Sequence, residues 1–307
     1  MIVAEGSASP SRGPSICLLT AFAAPQPGDN AALVAGAFER RGVTVHTAPI
    51  DSLGLGDGRI VVKAQSGTMD LADCSWVWTL GFGRRGSFLD KMQLLALLPT
   101  RVRQVTRPEA LLLWHGKYGL AAQTALPHPP TWASPRAEEL MAIAAREGGR
   151  FVLKPPGGSF GQGLVVADAG SPRLAVAARA LTREGSYCLL QRYLPEVNEG
   201  EYRVLVAGGR VIAGYRRHGC GPAGNLARGG RAEAVDLEDD TLGLARRVAQ
   251  WLQARQIGYA GIDIAGGWLL EANIVNPGGL STLRDLGVGD FAATVVDAIL
   301  DAPISFR

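Results

Sequence analysis

The chain has 307 residues, is 47% hydrophobic and 19% charged, and carries a formal net charge of +3. That is the composition of an ordinary globular protein of two or three units, without the charge excess that would call for a nucleic-acid partner. No stretch approaches the roughly 20 apolar residues of a membrane helix, and the first residues lack the cationic start and apolar run of a signal peptide. Cys17, Cys74, Cys188 and Cys220 form no CxxC pair, and His46, His115, His128 and His218 are equally dispersed. Reduced thiols in a cytoplasmic protein are therefore expected, and a zinc site is not.

Residues 15–24 read as a first strand. A helix follows, capped by Asp29 or Asn30, with Leu33, Val34 and Phe38 on its apolar face and Gly42 at its C-cap. A strand at 43–46 completes a βαβ beginning, the start of an open parallel sheet. With a buried strand at 74–80 and a helix at 88–98, residues 1–112 form one α/β unit, expected on the substrate side.

A second unit, 113–188, holds helix 116–125, a Pro-rich turn, helix 135–147, strand 151–154, a Gly-rich loop, strand 164–168 and a further helix. The third, 189–307, opens with long strands at 201–209 and 210–219. A helix starts at Asp239 or Asp240 with Ala245, Val248, Ala249 and Leu252 along one face, and strands 258–267 and 268–274 follow. Gly208-Gly209 and Gly266-Gly267 read as hairpin turns.

Three features carry chemistry. Lys154 precedes a run containing Gly157, Gly158, Ser159, Phe160, Gly161, Gln162 and Gly163, placed between two strands. Glycines let backbone N–H groups approach phosphate oxygens, and a lysine adds a point charge. No GK[ST] follows and the loop leaves as a strand, so it is neither a Walker loop nor a dinucleotide fingerprint; the alternative is a plain Gly-rich hairpin. Asp263, Glu271 and Asn273 lie on the late hairpin, with Glu271 and Asn273 on one face. Their hard oxygens suit Mg²⁺ completed by nucleotide phosphates. A charge inside such an apolar strand is costly unless ligated or paired, so a salt-bridged hairpin is the other reading. Arg203 shares a strand face with Glu201, and with Arg216 it offers a clamp for phosphoryl or carboxylate oxygens. Arg217 reads as an exposed sheet residue. Lys117 alone reads as a surface residue, and with Lys154 as a phosphate clamp. The segment 224–231, with Asn225 and Arg228, could close over a substrate or be simply a mobile loop.

Taken in order, HGKYGL with PPTW, FVLKPPGGSFGQG, LLQRYLPE, EYRVLVAGGRVI, GNLARGG and GIDI…LLEANIVNPGGL resemble the ATP-grasp superfamily. The nearest branch is that of bacterial glutathione synthetase and the ribosomal-protein glutamate ligases. The resemblance implies an α/β (α+β) fold in which an N-terminal open parallel α/β domain precedes two α+β subdomains clasping ATP. It implies an ADP-forming ligase that activates a carboxylate as an acyl phosphate and joins it to an amine. Lys117 and Lys154 would bind ATP phosphates under a lid formed by 157–163. Gln191, Arg192, Tyr193 and Leu194 would form the adenine hinge, and Glu199 or Glu201 would hold the ribose. Asp263, Glu271 and Asn273 would hold two Mg²⁺. Arg203 and Arg216 would stabilise the transferring phosphoryl group and the tetrahedral intermediate. Asn276, Gly278 and Gly279 would face the acceptor, beside Asn225 and Arg228. The partners implied are a small-molecule or peptide carboxylate and an amine, with no nucleic acid or membrane; a homodimer is compatible. The competing classes are a non-catalytic nucleotide-binding scaffold and a Rossmann dehydrogenase, the latter opposed by the absence of GxGxxG after the first strand.

Overall fold

A computed structural model describes residues 13–22, 30–157, 163–219 and 230–302. The apolar run of β1 (Ser15–Thr20) is buried from Ile16 onward, as a strand covered on both faces requires. It pairs in parallel with β2 (Thr44–Pro49) and with β6 (Trp76–Thr79), and β6 pairs in parallel with β7 (Arg103–Gln104). The crossover helix α1 (Ala31–Glu39) buries Val34, Ala37 and Phe38. Gly42, at φ 71°, turns the chain from α1 into β2. Asn30 precedes α1 without capping it through its side chain, and its amide instead donates to Asn276 Oδ1 at 3.0 Å. Asp29 lies outside the described residues. A small antiparallel sheet of β3 (Gly54–Gly56), β4 (Arg59–Ala64) and β5 (Gly67–Asp70) is inserted before β6. Only Ile60 and Val62 of its residues are buried, which leaves almost no periodic signal in the sequence. Helices α2 (Phe88–Ala96), α3 (Pro108–Trp114) and α4 (Tyr118–Ala122) lead into the second unit.

That unit contains β8 (Thr131–Ser134), α5 (Ala137–Glu147), β9 (Arg150–Lys154), β10 (Val165–Asp168), α6 (Pro172–Leu181) and β11 (Cys188–Arg192). Its antiparallel sheet runs β10-β9-β11-β8. Leu140 and Ala144 of α5 and Leu174 and Ala178 of α6 pack on Phe151, Leu153 and Leu190, covering one face. Strand alternation then leaves Val152, Lys154 and Gln191 on the other. The expected division between 188 and 189 falls inside this sheet, because β11 pairs with both β8 and β9.

The third sheet comprises β12 (Glu201–Ala207), β13 (Arg210–His218), β14 (Arg231–Glu233), β15 (Tyr259–Ala265) and β16 (Trp268–Asn273), in the order β14-β13-β12-β15-β16. Helix α7 (Asp239–Gln253) buries Leu244, Ala245, Val248, Ala249 and Leu252 in the cluster that includes Tyr202, Val204, Ile262 and Ile264. Both Gly-Gly turns have φ of 53° and 78°, the left-handed pair of a tight hairpin. After α8 (Leu280–Asp285), helix α9 (Ala292–Asp301) returns to the first unit, where Val295, Val296 and Ile299 join Phe38 and Trp78 in one core. Cys17, Cys74 and Cys188 are buried free thiols, and Cys220 lies outside the described residues. No helix among the described residues is long and apolar enough to cross a membrane.

Candidate active site

The acidic hairpin owes its orientation to a β-bulge. Along β15 and β16, Leu269 pairs with Ile264 and Glu271 with Asp263, so Leu270 is the extra residue. Without it Leu269 and Glu271 would share a face. With it Leu269 enters the core beside Ile262 and Ile264, while Glu271 turns to Asp263 on the opposite face. Asn273 follows on the Glu271 face and donates to Asp263 Oδ2 at 3.3 Å.

Both lysines converge on this hairpin. Lys117 Nζ stands 3.3 Å and Lys154 Nζ 3.6 Å from Glu271 Oε1. Burial pushes the Glu271 carboxyl up, but the charges of Lys154 and Lys117 outweigh it and hold the group below the usual carboxylate range. Lys154 is itself buried, which pulls its ammonium down against the opposing pull of Glu271. Lys154 Nζ also donates to Gln191 Oε1 at 3.0 Å. The Gln191 amide cannot turn round: its Nε2 donates to Thr131 Oγ1 at 2.8 Å, and that hydroxyl is spent on the Pro129 carbonyl. His128 completes the cluster, 3.4 Å from Gln191 Nε2. Burial first, and then the Lys154 charge, push its pKa down to about 4, leaving a neutral ring at neutral pH.

Behind the hairpin, two arginines enclose Asp263. Arg203 Nε and Nη2 lie 2.6 and 3.0 Å from its two oxygens, and Arg217 Nη2 lies 2.8 Å from Oδ1. Arg217 also donates to Glu201. Burial raises both carboxyls. The guanidinium charges win at Asp263, which stays low, whereas burial and the Asp263 charge win at Glu201, which is raised. Arg203 Nη1 further holds the Pro277 carbonyl, fixing the loop that carries Asn276, Gly278 and Gly279. That loop closes on β15 only because Gly261 is bare, since a Cβ there would lie 2.6 Å from Pro277 Cβ. Gly279, at φ 103°, packs against Leu205 and Tyr215.

Arg216 does not join this group. It pairs with Tyr202 across the ladder, stacks over the Tyr202 ring at 5.4 Å and donates to the Glu199 carbonyl at 2.9 Å. Arg217, expected on an exposed face, is the buried partner instead, because it stands opposite Glu201 in register. Strand alternation in YRRHG could have signalled this once the pairing with EYR was known. Glu199 is exposed. Arg192 points away, over Phe151 at 4.7 Å and towards Gly148. Tyr193 lines a cavity of about 410 Å³ together with Arg150, Val166, Arg173, Val197, Asn198 and Gly219, between the second and third sheets. Its hydroxyl donates to Asn198 Oδ1 at 2.6 Å. Leu194, beside it, starts the turn into β12. Gly157 and Gly163 flank the rest of the glycine run; Gly158, Ser159, Phe160, Gly161, Gln162, Asn225 and Arg228 lie outside the described residues.

Residues 120–287 match the family described as prokaryotic glutathione synthetase, ATP-grasp domain. The chain belongs to this family. The glutathione synthetase of Synechococcus elongatus is 31% identical over 223 residues, which is 70% of this chain and 68% of that protein. The glutathione synthetase of Parasynechococcus marenigrum is 36% identical over 191 residues, 60% of this chain and 61% of the relative, so that match falls short of two thirds of its length. The crystal structure of the D-cycloserine synthetase DcsG has the same fold, with a TM-score of 0.68 and 19% identity over 93% of this chain and 98% of that one. The chain therefore has the ATP-grasp fold.

Proposed function

We propose that this ATP-grasp chain is a Mg²⁺- and ATP-dependent carboxylate–amine ligase that forms an amide bond through an acyl phosphate. The observation that carries this reading is the meeting of Lys117 and Lys154 at Glu271. Two ammonium groups, one from the end of β9 and one from the residue preceding α4, meet a carboxylate from β16 and form a site for a polyanion and its counter-cation. In this reading ATP phosphates displace Glu271 as partner of the lysines, and the base lies near Tyr193 in the cavity between the sheets. The ribose is held near Glu201.

The donor set fits Mg²⁺ in chemistry: Glu271 and Asn273 present oxygens on one face, and Glu271 remains ionised beside the lysines. Asp263 fits less directly, because both its oxygens already accept from arginines. We assign Glu271 and Asn273 as the principal ligands and Asp263 as the residue that orients them, with two ions as the family-level expectation. When bound, the cation would neutralise charge on the phosphates. The protein's own groups do the rest. Lys117 and Lys154 align the γ-phosphate for in-line attack by the substrate carboxylate. Arg203 holds the loop with Asn276 where the incoming amine meets the acyl carbon. No side-chain nucleophile is required. The carboxylate belongs to a small molecule or a peptide, and the reaction is a cytoplasmic one in this reading.

The test is a hydroxylamine trap with ATP and MgCl₂ across a panel of carboxylates, with ADP measured in parallel. Hydroxamate with matching ADP release is the expected result. Absence of both ADP release and hydroxamate with every carboxylate in the panel would favour a nucleotide-binding scaffold.

A further inference from the structure

Asn30 is wholly buried, and its side-chain oxygen has no hydrogen-bond partner among the described residues. Such an amide costs the fold free energy, because the oxygen has given up water and gained nothing in return. The residue stands directly before α1, where an asparagine ordinarily caps a helix by accepting an N–H with that same oxygen. Here its backbone is helical, at φ −77° and ψ −11°, and the side chain makes no capping bond. It reaches across the molecule instead: Nδ2 donates to Asn276 Oδ1 at 3.0 Å, between residues 246 apart in the chain.

Each end of that bond has its own anchor. Phe38 of α1 packs in one core with Val295 and Ile299 of α9, and Arg41 pairs with Asp297. On the other side Arg203 holds the Pro277 carbonyl, and bare Gly261 lets Pro277 close on β15. The backbone at 277 is thus fixed without help from Asn30. What Asn30 adds is the setting of the Asn276 side chain. An asparagine amide has one accepting end and one donating end. With Oδ1 turned to Asn30, Nδ2 of Asn276 faces the other way, as a donor.

We propose that Asn30 is a positioning residue for the amine-transfer step, holding the Asn276 amide with its donor end towards the acyl carbon. The role rests on the ligase reading of the site. In that step the C–N bond forms and the C–O bond to phosphate breaks; phosphate leaves with the electron pair and the surplus proton of the amine goes to water. The acyl oxygen gains negative charge on the way, which a preset N–H donor favours. A purely structural role fits the residue less well. An apolar side chain of the same shape would fill the space with no orphan oxygen.

Two changes at this position test the role. Asn30→Leu nearly keeps the shape and removes both the donor and the orphan oxygen; Asn30→Asp sets an oxygen against Asn276 Oδ1. Hydroxamate formation is followed against hydroxylamine concentration at saturating ATP, MgCl₂ and the best acid of the panel. The KM for hydroxylamine should rise about three- to tenfold in both, the span of one hydrogen bond, with a smaller change in kcat and an unchanged KM for ATP. The melting temperature of Asn30→Leu should hold or rise. Asn276→Ala should raise the KM equally, and adding Asn30→Leu to it should do nothing more, because Asn30 acts only through Asn276. Independently of turnover, the ¹⁵N signal of the Asn276 side-chain amide, assigned by its loss in Asn276→Ala, should be ordered in the wild type and lose order in Asn30→Leu. A lower melting temperature with the hydroxylamine KM unmoved would leave the contact merely structural and overturn the proposal. Additive effects of the two positions, or an Asn276 amide equally ordered in both proteins, would do the same. A wild type that forms no hydroxamate with any acid sinks the ligase reading itself, whereas a wild type that forms it beside variants of unchanged KM sinks the role of Asn30 alone.

Discussion

Lys154 and Glu271, on different sheets, stand 3.6 Å apart with the lysine almost wholly buried. Each is an expensive group to bury alone. Their mutual approach, shared with Lys117, keeps the carboxylate ionised and the lysines oriented in the cleft.

Glu271→Gln keeps the volume and removes the charge. Turnover should fall by about 100-fold or more, on the scale of losing a metal ligand or its support, while far-UV circular dichroism stays native. Wild-type-like turnover in this variant would remove Glu271 from the metal site.

Lys154→Ala should weaken ATP binding by about 10- to 100-fold, the range for a charge-assisted hydrogen bond. Thr131→Val should act in the same direction but less, because it only frees the Gln191 amide to turn its nitrogen towards Lys154. A nucleotide titration of both variants checks the order. Unchanged ATP affinity in Lys154→Ala would be the contrary outcome.

Arg217→Met should reduce turnover more than Arg216→Met, since only Arg217 touches Asp263 and Glu201. Arg203→Met leaves Asp263 short of one buried partner and should destabilise the fold by about 3–5 kcal/mol. Denaturant unfolding and steady-state kinetics on the three variants separate the two effects.

His128 should titrate near pH 4, well under the usual histidine value. Its folded pKa is depressed, so its contribution to stability is present above the unfolded value, about 6.5, and is lost as pH falls through about 4. In Lys154→Met an NMR titration of the ring should move up only part of the way, because burial is the larger cause. A return to the ordinary value would mean that Lys154 alone sets the shift.

The residues that the structure brings together at the candidate site stand out in the residue order. Lys154 before a glycine run, and Glu271 and Asn273 inside an apolar strand, announce themselves because glycine and buried charge both violate local preference unless something compensates. The elements with strong periodicity were legible for the same reason, α7 above all, whose apolar stripe is continuous. The pairing of β11 with β8 and β9 is not readable from the sequence around 188–189, because pairing partners are not local. The insert β3–β5 was missed because so little of it is buried.

The sequence by itself determined which chemical groups are present, their strand and helix settings, and the two Gly-Gly turns whose left-handed backbone favours glycine. Tertiary structure decided which groups meet. A one-residue bulge at Leu270 sends Leu269 inward and Glu271 into the cleft, and the register of β12 on β13 chooses Arg217 over Arg216. Side chains on a strand alternate with a period of two, so a single step in pairing exchanges the faces. That step is set by contacts between distant segments, which no local run of residues encodes.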